Sequence, residues 1–218
     1  MILLLSASSL IGFLLTAVAK IAFATIDVDV NSWSASIQTY SATRIAEIIA
    51  YGFDTTVLFV ISLLIAAFLF YKNHRMWSIL LAGAMFGDAV IITIVKSLVH
   101  SARPLNGLME ETGFSFPSGH VTSTTVLFGF LFYFARQNRK TSSTRLLSVI
   151  CLILIELVVG FSRIYLNVHW LSDVLGGYLI GVFWLTFSLL ALQQLGKIQK
   201  FRSYAGRKRS LYHLVCRN

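Results

Sequence analysis

Six apolar runs, each close to the length that crosses a lipid bilayer, constrain this chain more than any other feature. A membrane-spanning helix needs roughly 20 predominantly apolar residues. The runs lie at roughly 2–24, 54–71, 76–95, 119–135, 146–163 and 174–194. Only two prolines interrupt 218 residues, which suits long helices. The charged fraction, 12%, is about half that of a soluble globular domain, so lipid is the expected main solvent. The predicted fold is all-α: one polytopic membrane bundle of six transmembrane helices, a single domain over 1–218 with a basic tail from 196 onward. Cys151 and Cys216 are too few and too far apart for a disulfide framework or a zinc site, and read as free thiols.

Two stretches near the N-terminus leave a choice. Ala22-Phe23-Ala24 looks like a signal-peptide cleavage site, but no basic residue precedes the apolar stretch and Lys20 lies late within it. The first run is therefore expected to be a retained span. Cleavage would leave the later topology unchanged, so the chemistry is expected not to depend on this segment. Residues 26–53 form the longest connection. Trp33, Ile37, Tyr40, Ile45, Ile48 and Ile49 recur loosely as one helical face, as in a helix lying along the headgroups, with a partly ordered loop as the other reading.

Charge sets the orientation. Thirteen Lys and Arg residues fall in the 72–75 and 136–145 connections and in the tail, against four (Arg44, Lys96, Arg103 and Arg163) on the other side. By the positive-inside rule the first group and both termini face the cytoplasm. The net charge of +9 is thus assigned to orientation and anionic headgroups rather than to nucleic acid. Lys96, Arg103 and Arg163 break the rule together, on an outer face that also carries His120, His169 and Asp173.

Those residues fall into three motifs. Lys96 is followed after six residues by Arg103-Pro104. Pro117-Ser118-Gly119-His120 comes next. Ser162-Arg163 is followed after five residues by His169 and after three more by Asp173. The chain resembles the type 2 phosphatidic acid phosphatase family in all three motifs, complete and in order, over residues from about 50 to 195. Vanadium haloperoxidases share the pattern but are soluble. The resemblance implies a membrane lipid phosphatase that passes through a phosphohistidine at His169, hydrolysed by water, with no metal and no cofactor.

The same residues support that chemistry on their own terms. Phosphoryl transfer needs positive charge around the equatorial oxygens, and Lys96, Arg103 and Arg163 supply three cations suited to phosphate. Ser118 and Gly119 open the fourth run, where a helix N-terminus offers unpaired amides to an anion and glycine leaves the backbone approachable. His169 and Asp173, four apart, can share a helical face, so Asp173 orients one ring nitrogen and frees the other as nucleophile. His120 then protonates the departing alkoxide. His, Asp and Glu are not clustered with metal-ligand spacing. His100, Glu110 and Glu111 match no motif position and read as solvated loop residues, with a substrate-shaping role as the other reading. Asp88 and Glu156 lie inside spans, where acids are costly; they are expected to bond each other or hydroxyls such as Thr122, Ser123, Thr124 or Thr125. Gly177 and Gly181 read as a close helix-packing pair.

The expected partners are a lipid phosphate and the surrounding membrane lipids. The expected location is the cell membrane, with the site on the extracytoplasmic side. Substrate candidates are undecaprenyl diphosphate, preferred because an outward site suits recycling of a cell-wall carrier, phosphatidylglycerophosphate and phosphatidic acid. A phosphotransferase using the same histidine is a second reading. A lipid or ion transporter using Asp88 and Glu156 is a third, disfavoured by the complete motif set.

Overall fold

The structure, a computed structural model, describes residues 1–138 and 142–215, with side chains over 1–137 and 146–194. Arg139, Lys140, Arg145, the basic residues of the tail and Cys216 lie outside the described side chains. The described residues form helices and no strand: α1 (Ile2–Val18), α2 (Lys20–Ser36), α3 (Tyr40–Gly52), α4 (Thr55–Tyr71), α5 (Arg75–Val99), α6 (Gly119–Asn138), α7 (Ser142–Tyr165) and α8 (Leu171–Val215). Cys151 is free and exposed.

Three helices are long and apolar enough to cross a membrane alone: α5, α7 from Leu146, and α8 as far as Gln194. The pairs α1–α2 and α3–α4 qualify only together, with bends of 80° and 45°. The fourth run is helical as expected, yet α6 is not apolar enough by itself. The reason is its place at the centre, packed against α4, α5, α7 and α8. Its first turns carry His120, Thr122, Ser123, Thr124 and Thr125, all buried. In a membrane bundle such polar groups face protein rather than lipid.

The first run is not one straight span. α1 stops at Val18, and α2 turns away at Ala19 without a glycine or proline to mark the place. The turn delivers polar side chains to partners. Ser34 Oγ donates to the carbonyls of Ile164 and Tyr165 at 2.9 and 3.2 Å, and Asp27 reaches Ser172. α1 lies along α8, where Phe13 stacks on Phe116 with ring centroids 5.6 Å apart. The 26–53 connection is mostly helix. Ala46 and Ala50 of α3 pack against Tyr165, Leu166 and Val168. Trp33, Ile37, Tyr40, Ile45 and Ile48 stay exposed, in line with a helix along the headgroups, while Ile49 turns inward toward Val121 and Val159.

Leu58, Leu81, Met85, Val126, Leu127 and Phe130 fill the contact between α4, α5 and α6. The intramembrane acids hold α6 in register. Ser123 Oγ donates to Asp88 at 2.6 Å and Thr125 Oγ1 to Glu156 at 2.9 Å, so the acids bond hydroxyls rather than each other. Gly177 and Gly181 let α8 close on α6. A Cβ on Gly177 would sit 3.0 Å from the Ser118 carbonyl, and one on Gly181 2.8 Å from Thr125 Cβ and 3.2 Å from the Thr122 carbonyl. Backbone cannot give way as a flexible side chain can. Gly181→Val is expected to cost about 1–3 kcal/mol of overpacking, read as a lower thermal unfolding midpoint in detergent. An unchanged midpoint would show that the contact is dispensable.

Candidate active site

All eight sequence-predicted residues converge at one end of the bundle. The last turn of α5 brings Lys96, the start of α6 brings Ser118, Gly119 and His120, the last turn of α7 brings Arg163, and the first turn of α8 brings Asp173. The connections 100–118 and 166–170 carry Arg103 and His169 between them.

Local chemistry shapes the two connections. His100 closes α5 with a left-handed backbone, φ 51°, and Asn167 turns the chain out of α7 the same way. Histidine and asparagine are among the side chains that enter this region most readily. Ser115 folds the first connection back on itself, its N–H bonding the Ser101 carbonyl at 2.8 Å. The connections are then tied together: Leu108 N–H to the Leu166 carbonyl at 2.9 Å, and Trp170 Nε1 to the Ala102 carbonyl at 2.8 Å.

Arg163 is the most buried cation, with no exposed surface. Its Nη2 pairs with Glu111 Oε1, while Nε and Nη1 have no hydrogen-bond partner among the described residues. Arg103 is fixed by the carbonyls of Val168 (2.9 Å), Gly113 (3.1 Å) and Thr112 (3.3 Å), and one Nη1 contact points at His169 Nε2 at 3.2 Å. Burial lowers its pKa, and the negative charges of Glu111 and Asp173 oppose that shift. Lys96 lies half-buried within the field of Arg103, Glu111, Asp173 and Arg163.

Ser118 caps α6 from its backbone side. Its carbonyl accepts Thr122 N–H at 3.0 Å, its own N–H bonds the Asp173 carbonyl at 3.1 Å, and its buried Oγ has no partner among the described residues. Helix α6 thus begins with orphan amides at the end of the bundle where the cations lie.

His169 precedes α8 rather than lying on it, so the expected shared helical face is instead a loop against a first turn. The contact is made nevertheless: Nδ1 stands 3.4 Å from Asp173 Oδ2. It is a close contact rather than an aligned hydrogen bond, since Nδ1 has no bond of good geometry. Burial pushes the His169 pKa down to about 3. Asp173 pulls it up, and Arg163 and Arg103 add to the fall. The imidazole is therefore neutral across the working pH range, with one nitrogen toward a carboxylate and the other toward the arginines.

Four further residues belong to this cluster and were not among the eight. Glu111 is no solvated loop residue: it holds Arg163 and lies 3.7 Å from Arg103 Nη2. An acidic pair in a polar loop gives no sequence sign of partners 52 residues away. Asp54, the N-cap of α4, places Oδ2 3.7 Å from His120 Nε2 while Oδ1 accepts Thr56 N–H at 2.8 Å. From the elbow between α1 and α2, Lys20 Nζ donates to Asp173 Oδ1 and to Ser172 Oγ, the latter at 2.9 Å. Asp27 accepts from Ser172 N–H and Oγ at 2.9 and 2.6 Å. The first run was expected to be immaterial to the chemistry; the structure brings its Lys20 to the carboxylate beside His169. Among the described residues no three His, Cys, Asp or Glu side chains gather closely enough to hold a metal ion.

Residues 77–197 match the family model described as the PAP2 superfamily. The chain is 32% identical over 154 residues to a phosphatidylglycerophosphatase B of Bacillus subtilis, covering 69% of this chain and 73% of that one. It is 29% identical over 144 residues to an undecaprenyl-diphosphatase of Sulfolobus acidocaldarius, covering 62% and 64%. Its fold matches the crystal structure of a transmembrane PAP2-type phosphatidylglycerolphosphate phosphatase from Bacillus subtilis with a TM-score of 0.80, at 24% identity over 87% of this chain and 96% of the other.

Proposed function

Because the chain belongs to the PAP2 superfamily and is an integral membrane lipid phosphatase, we propose that it removes phosphate from a lipid headgroup through a phosphohistidine at His169, at an outward-facing site of the cell membrane. One observation carries this reading above the others. His169 turns Nδ1 to Asp173 and Nε2 to Arg103, which is the arrangement a histidine nucleophile needs on each side.

In the first step the Nε2 lone pair attacks phosphorus. The bond from phosphorus to the leaving oxygen breaks, its electron pair stays on that oxygen, and His120 supplies the proton. Arg103, Arg163 and Lys96, with the amides opening α6, hold the equatorial oxygens. The Arg163 donors on Nε and Nη1 and the Ser118 hydroxyl, buried and unpartnered among the described residues, suit such an anion. In the second step water attacks phosphorus, His120 takes its proton, the P–N bond breaks, and inorganic phosphate leaves His169 neutral. No metal has a part in either step.

Two substrates head the test. Undecaprenyl diphosphate fits an outward site that recycles a carrier lipid. Phosphatidylglycerophosphate is favoured by the relative aligned over the greater share of its length. Purified protein is expected to release phosphate from one or both, to be inhibited by vanadate and to be unaffected by EDTA. A loss of activity in EDTA that a divalent ion restores would overturn the metal-free mechanism. Release from neither lipid nor phosphatidic acid would overturn the phosphatase reading of this site.

A further inference from the structure

We infer that Lys20 is a positioning residue for the phosphatase reaction, acting through Asp173 from a segment outside the matched family region. The inference rests on the phosphatase reading above. Its ground is geometric. Asp173 has two oxygens and two tasks. Oδ2 serves His169 Nδ1 at 3.4 Å and Trp170 N–H at 2.9 Å. Oδ1 takes the ammonium of Lys20. Asp173 has no exposed surface, so Oδ1 is shielded from bulk solvent.

Lys20 is itself held on a built platform. Ser172 Oγ accepts from Lys20 and donates to Asp27, which also accepts from the Ser172 N–H. The Lys20 ammonium also lies 5.1 Å from the centre of the Phe116 ring, which closes its apolar side. A lysine late in an apolar run is usually a snorkelling side chain. This one points into the protein instead, and brings a neighbouring acid that fixes the start of α8.

The consequence is twofold. Pinning Oδ1 fixes the carboxylate plane, and with it the direction from which Oδ2 meets His169. The Lys20 charge also cancels part of the Asp173 charge seen by His169. The other charges acting on that imidazole come from Arg163 on α7 and Arg103 in the 100–118 connection, with His120 on α6 beside it. All of these remain in a Lys20 variant. Removing the Lys20 charge strengthens the hold of Asp173 on the His169 proton, so His169 protonates at higher pH. The nucleophile must be unprotonated, so the acid limb of the pH–rate profile moves up.

The test uses full-length protein in mixed micelles with dioctanoyl phosphatidic acid. Lys20→Gln keeps a donor and loses the charge. Its kcat is expected to fall about tenfold with KM little changed, and its acid limb to rise by roughly one pH unit. Lys20→Arg is expected to keep the limb where the unaltered protein has it. The substrate's own ionisation is common to all variants and cancels in the comparison. If Lys20→Gln does not fold, Lys20→Met carries the same expectation in a side chain suited to an apolar run. A folded charge-removing variant with unaltered kcat and limb overturns the inference, as does an Arg variant whose limb moves as far as the Gln variant's. Absence of phosphate release by the unaltered protein would instead sink the phosphatase reading, so the two failures are distinct.

Discussion

His169→Ala is expected to lower turnover by on the order of 10⁴-fold or more and to remove all acid-labile labelling by radioactive lipid phosphate. The size follows from what one atom does. Nε2 is the nitrogen that faces Arg103, 3.2 Å from its Nη1. Burial keeps the ring neutral, with its pKa near 3, so the lone pair is present at neutral pH. Ser118 offers no substitute, because its hydroxyl has no hydrogen-bond partner among the described residues to act as a base. The measurement is phosphate release alongside quenched labelling. Phosphohistidine is lost in acid and phosphoserine is not, so an acid-stable label surviving in the alanine variant would move the nucleophile to a hydroxyl.

Arg163→Ala carries the next largest effect, a loss of about 10²–10³ in kcat/KM with a parallel loss of vanadate affinity. Arg163 has no exposed surface, and two of its nitrogens are buried without partners among the described residues. A donor fork held in low dielectric, already paid for by folding, acts on developing charge without reorganising. Arg163→Lys is expected to recover little, since a lysine presents a point charge where the fork presents directed donors. Vanadate should lose affinity with the same rank order across the variants. Unchanged vanadate inhibition in Arg163→Ala would remove Arg163 from the phosphate shell. Glu111 makes this variant informative in a second way: the carboxylate now shared with Arg163 would be left to Arg103, 3.7 Å away.

The parts of this molecule that the sequence makes legible are those with a fixed period or a fixed spacing. Runs at 54–71, 76–95 and 119–135 correspond to α4, α5 and α6 because a bilayer length is a one-dimensional property. The motif residues converge because each sits at a helix end or in one of the two connections at that end of the bundle, and the ends follow from the runs. The bend at Ala19 is different. Nothing within residues 2–24 encodes it; its cause lies at Ser172, Ile164 and Tyr165, where the polar side chains of α2 find partners. Asp27 and Ser34 look like loop residues until those partners are known. Glu111 was hidden for the same reason, since a carboxylate in a loop shows its charge in the sequence but not its counterion. Asp54 announces an N-cap, and that local role masks its approach to His120.

The contact between Lys20 and Asp173 joins residues 153 positions apart. A ribosome that has made α1 and the elbow must still make seven-tenths of the chain before the partner carboxylate exists. The first helix inserted therefore waits on the last for the site to close. A chain halted before α8 has the cations and His169 but not Asp173, the carboxylate that Lys20 and His169 share.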